Sequence, residues 1–230
     1  MTRVSGEQAL VLHVRPYRET SAIVSLLTAG HGRIAVVARG ARGGRRGSVL
    51  QPFNQVRVGF SGRGGLFTLT GSELTRHAWL SGEALACAFY VAEVVSRVLT
   101  EHDSHPRLFA ATCVTVDCLQ QGTPPPDVAL RRFERLLLEE LGYGLDFSQD
   151  ADSGAPIDPD RDYLLYPDSG FVATSTGRGY RGSVLADIAA DRYESRAARV
   201  AARRIFALAL KPLLGPRPLA SRRLLTRRSA

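Results

Sequence analysis

A chain of 230 residues can bury one large or two small cores, and 44% hydrophobic content is ordinary for a soluble globular protein. No apolar run approaches the ~20 residues that a membrane span requires, and the N-terminus lacks the apolar stretch of a secretory signal. We therefore expect neither a membrane protein nor a secreted one, but a cytoplasmic protein, and its net charge is +8.

The charge is strongly segregated along the chain. Residues 1–80 carry 11 arginines against three glutamates, residues 81–195 carry nine arginines against 19 acids, and residues 196–230 carry ten cations and no acid. A basic block next to an acidic one suggests that part of the molecule binds a polyanion. The many arginines by themselves indicate little; their position along the chain carries the information.

The first 75 residues have the alternation and the turn sequences of β-structure. Residues 55–60 alternate polar and apolar side chains strictly, as a half-buried strand does. Glycine-rich connections separate five such segments, which favours a small antiparallel barrel of the OB type. Pro52 must then lie at an edge or a bulge. The five predicted strands are Ala9–Val14, Thr20–Leu27, Arg33–Arg39, Gln55–Phe60 and Phe67–Thr70.

The connection between predicted strands three and four holds four arginines and four glycines in the ten residues Arg39–Ser48. Arginines on a flexible loop can reach a phosphate backbone and release its counterions. Because few aromatic side chains are available, backbone binding is favoured over base reading. The alternative is a solvated loop without a ligand. The candidate DNA-binding residues are Arg15, Arg18, Arg33, Arg39, Arg42, Arg45, Arg46, Arg57 and Arg63.

Beyond residue 80 the apolar period becomes helical, so we predict domains at 1–80 and 81–230 and an α+β multidomain fold. Three helices are expected before Gly142, which ends the third as a C′ glycine. Residues 143–182 are irregular, with a solvated acidic cluster and short strands at Tyr163–Tyr166 and Gly170–Thr174. Helices are predicted at Ser183–Ala190, at Glu194–Leu210, where Pro212 interrupts, and near Ser221–Arg227.

The sequence contains no motif of a known catalytic or metal site, so we predict neither enzymatic activity nor a cofactor. Cys113 and Cys118 lie about 140° apart around a helix, and no fourth ligand is spaced nearby, so the three cysteines are expected in the core. Arg196, Arg199 and Arg203 form a ridge that is equally well a ligand surface or a solvated helix face.

Five segments together resemble the RecO family of bacterial recombination mediator proteins, and their order and spacing persuade more than any one of them. They span nearly the whole chain: Gly6–Leu12, Arg15-Pro-Tyr-Arg-Glu-Thr20, Gly32–Ala41, Arg132–Asp146 and Arg217–Leu225. The resemblance implies an N-terminal OB fold and a helical C-terminal domain. It also implies a non-enzymatic protein of the bacterial nucleoid that binds single- and double-stranded DNA, anneals complementary strands and assists recombinase loading in gap repair.

The resemblance further implies three partners: RecR, the acidic C-terminal tail of single-stranded DNA-binding protein, and indirectly the RecA recombinase. A peptide that ends in a carboxylate needs an apolar pocket with cations at its mouth. The candidates for that pocket are Arg203, Phe206, Leu210 and Lys211. Many family members carry a four-cysteine zinc site whose positions correspond here to Asp150, Ser153, Ala173 and Thr176, so no metal is expected.

Two other classes share some of these features. An RNA- or ribosome-associated OB protein would have the same basic barrel, and competition between structured RNA and single-stranded DNA would distinguish it. In a purely structural scaffold the arginines would only solubilise the surface. A binding titration at two salt concentrations would separate this class from the nucleic-acid binders.

Overall fold

The computed structural model describes residues 2–226, without the side chains of Arg45, Leu225 and Thr226. Two compact units divide the chain: Met1–Pro126 with Pro216–Ala230, called here the barrel unit, and Asp127–Gly215, called the second unit. The helices up to residue 126 thus group with the barrel, and the domain partition at residue 80 stays a prediction. Within residues 2–226, no helix has the length and apolarity needed to cross a bilayer.

The barrel unit contains a closed five-stranded barrel, which confirms the predicted OB-like fold. Its strands pair in the order β1-β2-β3-β5-β4; β3 and β5 are parallel and the other neighbours are antiparallel. β1 is much longer than predicted because its first half pairs with β4 and its second half with β2. The bounds are β1 Thr2–Tyr17, β2 Ser21–Thr28, β3 Gly32–Ala38, β4 Gln55–Gly62 and β5 Leu66–Arg76.

The barrel core follows from the two-residue period of its strands. Val56, Val58 and Phe60 point inward from β4, while Arg57 between them is exposed, as the polar and apolar alternation predicts. The ring of Phe60 packs 5.1 Å from that of Phe67, measured between centroids. Burial of such β-branched and aromatic side chains supplies the main driving force that closes the barrel.

The arginine- and glycine-rich connection is not the flexible loop that the sequence suggested. Helix α1, Gly44–Val49, forms within it. A Cβ on Gly47 would lie 2.9 Å from the carbonyl oxygen of Ala41, so the glycine permits the helix to approach the preceding chain closely. Pro52 lies in the turn between α1 and β4, outside the strands, so the expected position at an edge or a bulge was wrong.

Two long helices complete the first part of the barrel unit at the predicted positions: α2, Gly82–Val98, and α3, Pro106–Gln121. Cys87, Val91 and Val94 are buried on α2, and Phe109, Cys113 and Val116 on α3, each set at the spacing of one helical face. Burial, followed by the charge of Asp117, raises the pKa of the Cys113 thiol to about 12. Cys113 therefore stays protonated and acts as a small core residue.

The second unit combines three helices with a small sheet. Its strands pair in the order β7-β6-β8. The last helix continues through Pro212, where an interruption was expected. A proline this close to the helix end removes few main-chain hydrogen bonds. The elements are α4 Pro126–Glu140, β6 Asp162–Tyr166, β7 Gly170–Thr174, β8 Tyr180–Arg181, α5 Gly182–Ala189 and α6 Arg196–Leu214.

The chain then returns to the barrel unit and ends in helix α7, Arg222–Thr226. The carboxylate of Glu93 on α2 accepts hydrogen bonds from the backbone N–H groups of Ala220 and Ser221, both at 2.9 Å, and from the Ser221 hydroxyl. Burial alone would raise the pKa of Glu93, but these hydrogen bonds and the Arg97 guanidinium outweigh it and the pKa is lowered. Glu93 thereby anchors the returning segment to α2.

Asp150 organises the irregular segment of the second unit. It is buried, which corrects the expectation that the whole acidic cluster is solvated. Its carboxylate accepts hydrogen bonds from the N–H groups of Asp152 at 2.9 Å, Ser153 at 3.4 Å and Ala173 at 3.3 Å. Three of the four positions at which the resemblance would place zinc ligands are thus joined by this carboxylate: Asp150 itself, Ser153 and Ala173. The residues present therefore do not fit a zinc ion, because the one ionisable side chain is occupied by N–H donors.

Replacing Asp150 with Ala should lower the free energy of unfolding by about 1–3 kcal/mol, because three N–H donors lose their acceptor. The hydrogen bond from Asp152 N–H is the main reason that the pKa of Asp150 is lowered in the folded state. Its contribution is therefore complete above about pH 4, the ordinary carboxyl range, and is lost as the pH falls through the lower folded-state value.

Urea unfolding at neutral and at acidic pH measures this effect. The difference between wild type and Asp150→Ala should shrink in acid, whereas the exposed neighbour Asp152→Ala should change little at either pH. Equal stability of the wild type and the Asp150→Ala variant at neutral pH would show that the carboxylate does not hold this segment.

Candidate nucleic-acid interface

Four of the candidate arginines come together at one end of the barrel, and we call Arg18, Arg39, Arg42 and Arg46 the arginine cluster. Arg42 Nη1 donates to the carbonyl oxygens of Arg18 at 3.2 Å and Glu19 at 2.8 Å, and Arg46 Nη1 donates to that of Arg39 at 2.8 Å. The Arg42 contacts join the β1–β2 turn to the segment that follows β3, and the Arg46 contact lies within that segment. All four residues are exposed, and each guanidinium has five N–H donors, so most donors remain for a ligand.

The backbone around the cluster is open and rich in glycine. Gly40 and Gly44 have φ angles of +67° and +63°, and a Cβ at either position would meet nothing within 4 Å. A shallow hollow of about 520 Å³ lies here, lined by Glu19, Thr20, Gly40, Arg42 and Gly43. Glu19 is the one acid in this lining. The local balance of charge therefore favours an anion, and backbone N–H groups without side chains around them can approach a phosphate closely.

The other candidate arginines lie elsewhere. Arg33 is engaged in an ion pair with Glu101 at 3.0 Å and its Nε donates to the carbonyl oxygen of Leu99, which fastens β3 to the α2–α3 connection. Its side chain is only 20% exposed, so little of it can reach a phosphate. Arg57 lies on the outer face of β4, 3.9 Å from Glu73, and Arg63 is exposed in the β4–β5 turn.

Arg15 lines a second hollow of the barrel unit, of about 770 Å³, together with Arg33 and the two acids Glu93 and Glu101. The mixture of charges separates this hollow chemically from the arginine cluster. The side chain of Arg45 lies outside the described part of the structure. The sequence therefore identified the basic segment. The structure sorts its described arginines into the cluster of four, two that form ion pairs, Arg33 and Arg57, and two others, Arg15 and Arg63.

The residues proposed for a peptide pocket on α6 are not all at the surface. Phe206 and Leu210 are 1% and 0% exposed, and the Phe206 ring packs against that of Phe147 at 6.3 Å. Both side chains fill the core of the second unit, so they cannot line an open pocket. Arg203 and Lys211 are exposed. Phe206 and Leu210 follow the buried Ala202 at intervals of four, so spacing places them on its side of the helix, but only the structure shows that the covered part of this face includes both.

Asn54 is a structurally important residue that no sequence pattern pointed to. It is fully buried, and its Nδ2 donates to the carbonyl oxygens of Ser48 at 3.2 Å and Val49 at 3.0 Å. Its Oδ1 accepts the N–H of Ala78 at 3.0 Å. A single amide thereby ties α1 to the segment after β5. Polar residues between apolar runs usually lie on loops, so no local signal predicts this burial.

Comparison with known proteins gives matches over almost the whole chain. The family models described as "Recombination protein O N terminal" and "Recombination protein O C terminal" match residues 1–78 and 80–223. DNA repair protein RecO of Cellvibrio japonicus is 40% identical over 231 residues, which cover 97% of this chain and 98% of that protein. DNA repair protein RecO of Serratia proteamaculans is 40% identical over 223 residues, covering 95% and 92% respectively.

Proposed function

This chain belongs to the RecO family of DNA repair proteins, and on that premise we propose that it is a non-enzymatic recombination mediator of the bacterial nucleoid. It binds single- and double-stranded DNA, anneals complementary strands and assists the loading of recombinase at gaps. The observation that carries this proposal is the arginine cluster at one end of a closed OB-like barrel. DNA repair is the function that the names of the relatives state; the individual activities are proposed here.

Annealing follows from charge neutralisation. Two single strands repel each other through their phosphates, and a basic surface lowers that repulsion without reading sequence. Residues 1–80 carry eight more arginines than acids, and the arginine cluster concentrates four of these arginines on two adjoining connections. A protein that holds both strands by their backbones leaves the base edges free to pair.

The proposed partners are RecR, the acidic tail of single-stranded DNA-binding protein and indirectly RecA. The exposed face of α6 supports a tail site in a position different from the buried pair. Leu208 is 36% exposed on this helix, and the exposed Arg204 and Lys211 lie four residues before it and three after it, which places all three on one face, whereas Arg203 lies about 140° around the helix from Leu208. An apolar side chain between two cations is the arrangement that a peptide with a terminal carboxylate requires.

Full-length protein should accelerate the annealing of complementary oligonucleotides and bind a labelled single strand with strong salt dependence. If about five phosphates are engaged, the slope of log K against log salt is about −3.5, so affinity falls roughly 100-fold between about 50 mM and 200 mM salt. Fluorescence anisotropy measures the binding, and recovery of duplex measures the annealing.

Structured RNA serves as the competitor in the same titration. Single-stranded DNA should displace bound single strand at lower concentration than the RNA does. Preferential displacement by RNA would support an RNA-associated protein instead. Binding that does not depend on salt, or no binding in dilute buffer, would contradict the proposal.

A further inference from the structure

The only tryptophan of the chain, Trp79, is exposed to solvent in the segment that connects β5 to α2. Its side chain is 75% exposed, the highest value for a large hydrophobic residue in the described part of the chain. The backbone is nonetheless fixed, because Trp79 N–H donates to Gln120 Oε1 at 2.7 Å and Ala78 N–H donates to Asn54 Oδ1 at 3.0 Å. An indole held in place but left uncovered exposes apolar surface whose burial by a ligand would be favourable.

The ring is already half of an aromatic stack. His77 lies parallel to it, with 4.3 Å between the ring centroids and an angle of 24° between the planes. One face of the indole is therefore covered by the imidazole, and the high exposure of the side chain leaves the opposite face open. A flat ligand that stacks on that open face would extend the pair into a stack of three rings.

The segments that adjoin Trp79 carry polar side chains: Arg76 precedes it by three residues, and Asp117 lies one helical turn before Gln120, which accepts the Trp79 N–H. Arg76 forms an ion pair with Asp117, and Gln55 Nε2 donates to the same carboxylate at 3.3 Å. Tryptophans that anchor protein–protein contacts sit in well-packed patches with apolar neighbours. A nucleobase instead has an aromatic face and polar edges, and every base can stack regardless of sequence. Charge and polarity around Trp79 thus favour a base over an apolar protein surface.

Trp79 is also tied to the arginine-rich segment through the buried Asn54. This side chain bonds the carbonyl oxygens of Ser48 and Val49 at the end of α1 and the N–H of Ala78 beside the tryptophan. On the outer face of the sheet, Arg76 on β5 lies opposite Gln55 on β4. Arg57, two residues after Gln55, is therefore the diagonal cross-strand neighbour of Arg76. The segment that carries Trp79 and the end of α1 are therefore connected by hydrogen bonds within the barrel unit.

We propose that Trp79 stacks on an unpaired base of a single strand whose sugar–phosphate chain lies against the arginine-rich segment. This rests on the proposed function and adds a contact that only single strands can make, because the bases of a duplex are already stacked and paired. His77 is the positioning residue that supports the indole from its other face. The preference for single over double strands then comes from Trp79, and the salt dependence comes from the arginines.

The test uses the fact that all tryptophan emission comes from Trp79. Addition of a thymidine homopolymer to the full-length protein should quench this emission and protect the indole from acrylamide, whereas a duplex should do neither. Trp79→Ala should weaken single-strand binding about 5- to 150-fold, the range found for stacked aromatic residues, and change duplex binding by less than about twofold. Trp79→Phe should retain part of the affinity, since a smaller ring still stacks.

Tyr166→Ala is the matched control, because it removes another aromatic side chain that is 50% exposed. It should leave single-strand affinity unchanged. The stacking role would be overturned if the wild type binds the labelled strand by anisotropy without a change in tryptophan emission and the Trp79→Ala variant binds it equally well. The DNA-binding proposal would then remain intact. If the Trp79→Ala variant binds the strand as tightly as wild type but differs from it in the molecular mass of its assembly in solution, the ring makes a protein–protein contact, and the stacking role would likewise be overturned. Absence of any strand binding by wild type would reject both proposals.

Discussion

Replacing Arg39, Arg42 and Arg46 together with Ala should weaken binding to single-stranded DNA about 50-fold at 0.15 M salt. Each guanidinium that neutralises one phosphate contributes about 0.7 to the magnitude of the salt slope, so three lost contacts reduce it by about 2. The arginines are exposed, and each keeps donors that its backbone contacts do not use. Anisotropy titrations over a range of salt concentrations give both the affinity and the slope.

Two controls show whether the effect comes from positive charge at the cluster. One tests the contribution of the guanidinium contacts to local structure, and the other tests the contribution of the protein's net charge. The corresponding triple replacement with Lys keeps the charge but removes the guanidinium forks that hold the β1–β2 turn, and should retain most of the slope. A second triple Ala variant removes three exposed arginines from the second unit and should leave binding nearly unchanged: Arg161, Arg178 and Arg192. An unchanged slope in the Arg39, Arg42 and Arg46 variant would exclude the cluster as the DNA site.

Gly32→Ala should lower the free energy of unfolding by at least about 3 kcal/mol, because the added methyl group meets both backbone strain and a steric clash. Gly32 has a φ of +63°, and a Cβ there would lie 2.0 Å from the carbonyl oxygen of Asp103 and 2.8 Å from its nitrogen. These are backbone atoms, so relief requires the α2–α3 connection to move away from β3. That movement would also disturb the hydrogen bond from His102 N–H to the Arg33 carbonyl oxygen.

Gly40→Ala is a close control, because its φ of +67° imposes the same backbone strain while a Cβ would meet nothing within 4 Å. It should cost only about 1 kcal/mol, the strain of a left-handed residue. Urea unfolding of both variants measures the difference. If both variants lose the same free energy of unfolding, backbone strain alone explains the effect, and the close packing of Gly32 against the Asp103 backbone does not contribute to stability.

The barrel strands and the long helices were predictable because their signals are local. Alternation at Val56, Val58 and Phe60 and the helical spacing of Phe109 and Cys113 each follow from the geometry of a few consecutive residues, and both sets are buried as predicted. Segregation of charge indicated the basic segment for the same reason, since it is a property of composition alone. The family resemblance rested on short segments in a fixed order, and the family is confirmed over nearly the full length.

Other features depended on contacts between residues far apart in the chain. Periodicity tells which side chains share a face of a helix but not how far the covered part of that face extends, so Phe206 and Leu210 were assigned to a surface pocket although they lie in the core. The interruption expected at Pro212 was wrong because the helix persists to Leu214.

By itself the sequence determined the order of the elements, their apolar faces and the placement of positive charge, because each depends on neighbours within about one turn or one strand. Tertiary structure decided which arginines meet at one end of the barrel, which one is consumed in an ion pair with Glu101, and that Asp150 and Asn54 are buried hydrogen-bonding centres. It also decided that Trp79 is left in the open on a polar surface. These outcomes are set by closure of the barrel and by long-range packing, which no window of consecutive residues contains.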